Sequence, residues 1–151
     1  MENERLEPLV LRDRNGQRKY LNKVERGAFL SEAEKLSADR RAFCLIIYYT
    51  GCRISEALAL NPQQIDFTEG VVVLNTLKRR KSGAYRVVPV PKELLSDLLN
   101  IECENRVFTF SRTTAWRTIK SVMKGCQIEG DHATTKGLRH GLLHLELPLL
   151  V

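Results

Sequence analysis

Residues 50–60 read TGCRISEALAL, a glycine turn that joins two helical patterns. The pattern before it, over residues 39–49, is apolar around nearly the whole helix and predicts a central, buried helix that ends where Gly51 supplies a C-terminal turn. The pattern after it places apolar residues on one face at helical spacing and predicts another helix. Arg53 therefore stands at the start of a helix, where its planar guanidinium can bind two oxygens of one phosphate and the helix dipole favours the same anion.

Length and composition restrict the class of protein. The chain has 151 residues, which fits one domain with a hydrophobic core, and 43% hydrophobic with 28% charged residues is typical of a soluble globular protein. No apolar run reaches the roughly 20 residues that a membrane helix needs, and the N-terminus lacks the basic and then apolar order of a secretory signal. The four cysteines form no C-x-x-C pair and predict reduced thiols, mostly in the core. We therefore expect a cytoplasmic protein without a membrane partner.

Local patterns predict an α+β fold that is mostly helical, with a small antiparallel β-hairpin or sheet. Residues 1–28 mix charges with turn residues and are interpreted as an N-terminal arm or linker. Ser31, with Glu34 three residues later, has the capping-box pattern and predicts the start of the first helix. Two β-branched runs, 71–74 and 86–90, flank a basic turn and predict the hairpin.

Three further helices are expected in the second half of the chain. Pro91 opens a helix that continues over Glu93–Leu99 with a leucine stripe on one face. A basic helix begins at Ser111 or Thr113 and runs to Gly125. One more helical turn is expected within residues 133–140.

Positive charge is concentrated in two stretches. The formal net charge is +6, and residues 76–92 alone contain six basic and no acidic residues. A second acid-free stretch, 112–124, follows the predicted basic helix. Two separate basic surfaces are typical of a protein that binds a polyanionic backbone. Solvated faces kept basic for solubility are the open alternative.

Three stretches resemble signatures of the tyrosine recombinase, or phage integrase, family. Residues 50–60 resemble its first signature, T-G-x-R-x-S-E-x-x-x-L, and residues 81–90, KSGAYRVVPV, are similar to its basic β-hairpin. Residues 136–141, KGLRHG, resemble its second signature, His-x-Leu-Arg-His, with Lys136 in the place of the first His. The resemblance implies the integrase-like catalytic-domain fold.

The resemblance also assigns catalytic and DNA-binding residues. Arg53, Lys136 and Arg139 would bind the scissile phosphate, and one helical turn separates the last two, so both can address one phosphate. Lys81, at the hairpin tip, would donate a proton to the leaving hydroxyl, unless a shift of register gives that role to Lys78. The residues expected to contact DNA are Lys78, Arg79, Arg80, Arg86, Arg117, Lys120 and Lys124.

Three more residues near the signatures are candidates for supporting roles. His132 competes with Lys136 for the position of the first His, although an exposed loop residue is the favoured interpretation. Glu56 could hold the Arg53 side chain or cap its own helix, and this structural role is favoured over a catalytic one. His140, within the second signature, is a further supporting candidate.

No metal site and no cofactor is expected. His140 and His144 have the spacing of a metal-binding pair, but only Glu146 or His132 could complete the site. The family needs no metal ion, because its members attack the DNA phosphate with a tyrosine and form a covalent 3′-phosphotyrosine. No tyrosine follows Tyr85 in this sequence.

We therefore expect a site-specific recombinase or integrase catalytic domain, truncated before its nucleophile, that does not cleave DNA alone. The alternatives are a non-catalytic DNA-binding module or decoy that regulates recombination, and a basic domain that binds no nucleic acid. Double-stranded DNA is the expected partner, with localisation at the nucleoid when bound. Self-association or pairing with a full-length recombinase is expected, because a missing C-terminal helix would expose apolar surface. The domain boundaries are an arm over 1–28, a catalytic-like domain over 29–141 and a Leu-rich tail over 142–151.

Overall fold

The computed structural model describes residues 14–75 and 84–139. Within these ranges the fold is mostly helical with one small antiparallel sheet, which confirms the predicted α+β class. No helix of these ranges is long and apolar enough to cross a membrane. Residues 135–139 form a short helical segment near the end of the second range. The other elements are α1 (Lys23–Ala33), α2 (Ala38–Thr50), α3 (Ile54–Leu58), a 3-10 helix (Pro62–Gln64), β1 (Ile65–Asp66), β2 (Val71–Asn75), β3 (Tyr85–Pro89), α4 (Lys92–Leu99) and α5 (Arg112–Gly125).

Helix α2 forms the centre of the core, as its apolar pattern predicted. Every residue from 42 to 48 is buried, and the helix contacts α1, α3, α4 and α5. At its end Gly51 has a left-handed φ of 70°, a conformation that a β-carbon would disfavour, and donates its N–H to the Ile47 carbonyl at 2.9 Å. The chain thus leaves α2 by a sharp turn that brings Arg53 directly to the start of α3.

The sheet has the order β1-β2-β3 and is antiparallel throughout. β2 and β3 pair in register over their whole lengths, as the predicted hairpin requires. Val72 and Leu74 of β2 are buried, whereas β3 is mostly exposed, so β2 supplies the apolar side of the hairpin. The predicted basic tip of the hairpin lies outside the described residues.

The predicted start of the first helix at Ser31 is wrong, because α1 begins at Lys23 and Ser31 lies inside it. Asn22 is the N-cap: its side-chain oxygen accepts the Glu25 N–H at 2.8 Å, and the Glu25 carboxylate accepts the Asn22 N–H at 3.0 Å. The same capping pattern occurs twice in the sequence, and the earlier copy is the one used. Leu21 is completely buried, so the core includes residues that the sequence interpretation assigned to an arm.

Helix α5 begins as predicted and lies close to α1. Ser111 is its N-cap, and the Ser111 hydroxyl oxygen accepts the Thr114 N–H at 3.1 Å. At the other end of α5, a β-carbon on Gly125 would collide with the side chain of Glu32 on α1. The Glu32 side chain therefore occupies the space beside Gly125.

All four cysteines are free thiols, as predicted. Cys44 and Cys52 are fully buried in the core. Burial raises the pKa of the Cys44 thiol to about 12 and that of the Cys52 thiol to about 11. Because the thiolate is the reactive form, both side chains serve packing rather than chemistry.

Candidate active site

The turn between α2 and α3 is fixed by hydrogen bonds within the turn itself. Thr50 is buried, and its hydroxyl donates to the Ile46 carbonyl at 2.6 Å while accepting the Cys52 N–H at 3.2 Å. Arg53 follows in an extended conformation, with φ −83° and ψ 161°, as the N-cap residue of α3. The turn therefore holds the Arg53 backbone in a defined position at a helix N-terminus.

Glu56 stabilises this position from within α3. One carboxylate oxygen of Glu56 accepts the Arg53 N–H at 2.8 Å, and the other lies 3.7 Å from the Arg53 guanidinium. The Glu56 side chain is 4% exposed, whereas the Arg53 side chain is 38% exposed. Glu56 thus caps the helix and orients an arginine that still reaches solvent, the supporting role that the sequence favoured.

Two arginines other than Arg53 bind backbone carbonyls at the C-terminal end of α2. Arg139 donates from Nε to the Gly51 carbonyl at 2.7 Å, and Arg86, on β3, donates from Nη1 to the Thr50 carbonyl at 2.9 Å. Cations are favoured at a helix C-terminus, where the last carbonyls lack partners within the helix. Arg86, which the sequence interpretation assigned to DNA contact, thus has an internal partner that ties the hairpin to the first signature.

A cavity of about 310 Å³ lies between α3, α5 and the 135–139 segment. Four basic side chains line it, and none of the described lining residues is acidic. Trp116, half exposed, forms part of the wall. Three of the four cations that the resemblance assigned to catalysis are brought together here, and the fourth, Lys81, lies outside the described residues. The four basic side chains of the lining are Arg53, Arg112, Lys136 and Arg139.

The electrostatics of this cavity favour an anion. Burial lowers the pKa of the Arg139 guanidinium, and the neighbouring positive charge of Arg53 lowers it further, against the opposing effect of Glu56. A lowered pKa means that the folded protein disfavours the positive charge of Arg139 beside that of Arg53. An anion with several oxygens, such as a phosphate, would relieve this repulsion and accept hydrogen bonds from both arginines.

The 135–139 segment, which carries Lys136 and Arg139, begins with a side-chain cap. The Thr134 hydroxyl accepts the Gly137 N–H at 3.1 Å, and the Thr134 carbonyl accepts the Leu138 N–H at 3.0 Å. The Thr135 hydroxyl, on the cavity wall, is buried and has no hydrogen-bond partner among the described residues. The segment therefore brings the two cations Lys136 and Arg139 to the cavity.

His132 lies outside this cavity, beside α1. Its Nε2 is 3.0 Å from a Glu25 carboxylate oxygen, and its side chain is 14% exposed. The favoured interpretation of His132 as an exposed loop residue is therefore wrong, because the loop packs onto α1. Lys136, the competing candidate for the first position of the second signature, lines the cavity.

The basic side chains of α5 point to different surroundings. Lys120 donates from Nζ to the Ala133 carbonyl at 2.7 Å and lies 5.9 Å from the centre of the Trp116 ring. Arg117 lines a second cavity, of about 360 Å³, together with Arg40 of α2. Lys124 is exposed in the last turn of the helix. Sequence reasoning missed Arg112, which lines the first cavity, although it belongs to the same acid-free stretch.

Several predicted site residues cannot be located relative to this cavity, because they lie outside the described ranges. Within those ranges, no three histidine, cysteine, aspartate or glutamate side chains form a group that could hold a metal ion. The predicted residues outside the described ranges are Lys78, Arg79, Arg80, Lys81 and His140, and with them His144 and Glu146.

The chain resembles known proteins over most of its length. Tyrosine recombinase XerA of Pyrococcus furiosus is 28% identical over 114 residues, which are 66% of this chain and 38% of that protein. The crystal structure of XerA recombinase has a TM-score of 0.71 at 22% identity, over 85% of this chain and 50% of that one. XerH recombinase bound to its difH substrate also has a TM-score of 0.71, at 18% identity, over 91% of this chain and 49% of that one. Lambda integrase (residues 75–356) bound to DNA has a TM-score of 0.67 at 19% identity, over 87% of this chain and 51% of that one.

The three solved structures share the fold of this chain. The chain spans 38% of the curated relative that it matches and about half of each of the three solved structures. The profile of the phage integrase family matches residues 19–144. This match includes both signatures and the hairpin between them, and the resemblance predicted from those motifs is confirmed: the chain belongs to the phage integrase family, that of the tyrosine recombinases.

Proposed function

We propose that this chain binds duplex DNA and holds one backbone phosphate between Arg53, Lys136 and Arg139, as the catalytic-domain part of a site-specific recombinase. The observation that carries the proposal is the cavity of about 310 Å³, where four basic side chains meet and none of the described lining residues is acidic. Two similar structures were solved with DNA, XerH on difH and lambda integrase, and they support DNA as the source of the phosphate.

The basic side chains at this phosphate would neutralise the negative charge that develops on its oxygens during phosphoryl transfer. The arginine fork of Arg53 can bind two phosphate oxygens, while Lys136 and Arg139 approach from the neighbouring helical turn. Loss of one such donor typically costs about 100- to 1000-fold in rate. We propose Lys81 as the proton donor to the leaving hydroxyl, with Lys78 as the alternative. None of the described tyrosines lines the cavity, so the proposed role of the described residues is phosphate binding and charge neutralisation.

The remaining basic residues would contact the DNA backbone around this phosphate. Arg117 and Lys124 are exposed on α5 and are the best supported of these contacts. Arg86 and Lys120 hold backbone carbonyls and would act by shaping the surface. We assign Arg79, Arg80 and Lys78 of the hairpin tip to the backbone as well.

The proposal is tested by the salt dependence of duplex binding. Each phosphate contact contributes about 0.9 to the slope of log affinity against log salt concentration. We expect Arg53→Ala to weaken binding about tenfold, or about 1.4 kcal/mol, and to lower the slope by about one contact. Arg106→Ala removes the same charge from an exposed site that does not line the cavity and serves as the control. Equal losses in both variants, or binding that is independent of salt, would contradict the proposal.

Cleavage and assembly require separate measurements. We propose that the chain binds its DNA without forming a covalent adduct, and a trapped adduct on a suicide substrate would contradict this.

We further propose self-association or pairing with a full-length recombinase on DNA at the nucleoid, for which the structure of a lambda integrase dimer bound to a COC′ core site is the support. Sedimentation of the chain with duplex DNA should give more than one protein per site, and a single copy at saturation would argue against it.

A further inference from the structure

We propose that Glu25 and His132 are positioning residues, which hold the 135–139 segment so that Lys136 and Arg139 face the phosphate. The inference rests on the proposed function, because it concerns how the phosphate site is held in place. Its starting point is that the segment, besides its own Thr134 cap, is held by contacts with a distant part of the chain.

The first of these contacts joins the segment to the start of α1. Leu21, completely buried, donates its backbone N–H to the Gly137 carbonyl at 3.0 Å. Gly137 directly follows Lys136 on the helical turn and has space for no side chain, because a β-carbon there would collide with the His132 carbonyl. The backbone of residue 132 is therefore packed directly against the turn that carries both cations.

Glu25 holds residue 132 through a chain of polar contacts. Arg18 donates from Nη1 to one Glu25 carboxylate oxygen at 2.8 Å, and the Asn22 N–H donates to the same oxygen at 3.0 Å. The other oxygen of Glu25 is 3.0 Å from His132 Nε2. Burial alone would raise the Glu25 pKa, but the hydrogen bonds from Arg18, Asn22 and His132 outweigh it and lower the pKa to about 2. Glu25 is thus ionised across the physiological range.

A third contact holds the same loop from α5. Lys120 donates to the Ala133 carbonyl at 2.7 Å. Glu25 is the charged group seen bonded to the His132 imidazole, so the Glu25–His132 bond is the contact to test.

Variants of His132 provide the test. His132→Gln keeps a donor for Glu25, and His132→Ala removes it. We expect His132→Ala to weaken duplex binding about fivefold, and His132→Gln to bind nearly as well as the wild type.

A double-mutant cycle separates positioning from a general loss of stability. If His132 acts through the turn, His132→Ala should have a smaller effect in a Lys136→Ala background than in the wild type, because only Arg139 is then left to be positioned. Thermal unfolding of each variant, measured alongside, shows whether it is folded at the binding temperature. Additive effects in the cycle, or full binding by folded His132→Ala, would overturn the inference while leaving the proposed function intact. Failure of the wild-type chain to bind DNA would instead overturn the proposed function.

Discussion

The two turns that carry the candidate phosphate ligands are built in different ways. The turn at residues 50–53 is held by near neighbours in the sequence, since the Thr50 hydroxyl bonds to residues 46 and 52. The turn at residues 132–139 has a local cap from Thr134, but it is also held by residue 21, α1 and α5, which are far away in the sequence. Distant arginines bind carbonyls of the first turn as well, yet its inner hydrogen bonds are local, whereas the second turn depends more on distant parts of the chain.

The largest effect is expected from a side chain placed in the second turn. Gly137→Ala would force a β-carbon against the His132 carbonyl, and overpacking of this kind costs about 2 to 3 kcal/mol. We expect a corresponding loss in the free energy of unfolding, measured with urea, and a loss of DNA affinity. Gly27→Ala is the matched control, because Gly27 is exposed within α1 with open space around it. That control should stabilise the protein by about 0.5 to 1 kcal/mol, and similar behaviour of the two variants would contradict the packing argument.

A smaller effect is expected when the first turn loses its internal bonds. Thr50→Val removes the hydroxyl that serves the Ile46 carbonyl and the buried Cys52 N–H, which should cost about 1 to 2 kcal/mol of unfolding free energy. Thr50→Ser keeps the hydroxyl and should recover most of this loss. Equal destabilisation by both variants would mean that packing of the methyl group, rather than the hydrogen bonds, holds the turn.

The smallest effect is expected in the free energy of unfolding at low pH, through the Glu25 carboxylate that contacts the second turn. The Glu25 pKa of about 2 in the folded protein lies below its ordinary value of 4.5, so folding favours the ionised carboxylate. This contribution is complete above about pH 4.5 and is lost as the pH falls towards 2. Because Glu25 is partly exposed, we expect about 1 kcal/mol. Glu25→Gln should have a lower free energy of unfolding than the wild type at neutral pH, and this free energy should depend less on pH below pH 4.5. If both proteins lose stability equally between pH 4.5 and 2, the assignment to Glu25 is contradicted.

Much of the fold could be predicted because its elements have strong local patterns. The all-round apolar helix before Gly51, the paired β-branched runs and the Ser111 cap each follow from a few adjacent residues. The start of α1 could not, because Asn22 and Ser31 both begin a capping pattern and only tertiary packing selects the first. Strand β1 has two residues and pairs with β2 alone, so it has too short a pattern to be recognised.

The candidate site was predictable only in part, for the same physical reason. Arg53, Lys136 and Arg139 stand in recognisable motifs, and the structure brings them to one cavity, while their catalytic roles stay predictions. Arg112 lines the same cavity without belonging to any motif. The bond between Glu25 and His132 joins residues 107 positions apart, and no local pattern predicts such a contact.

The bond between Arg139 and the end of α2 predicts that arginine cannot be replaced by lysine at this position without loss. Arg139 uses its Nε to hold the Gly51 carbonyl, and its two terminal nitrogens carry the remaining N–H groups of the guanidinium. The planar guanidinium can thus bind the Gly51 carbonyl and a ligand oxygen at the same time and fix the distance between them. A lysine would preserve the charge, but it would have to bind both partners through a single nitrogen on a flexible stem, and that distance would no longer be fixed.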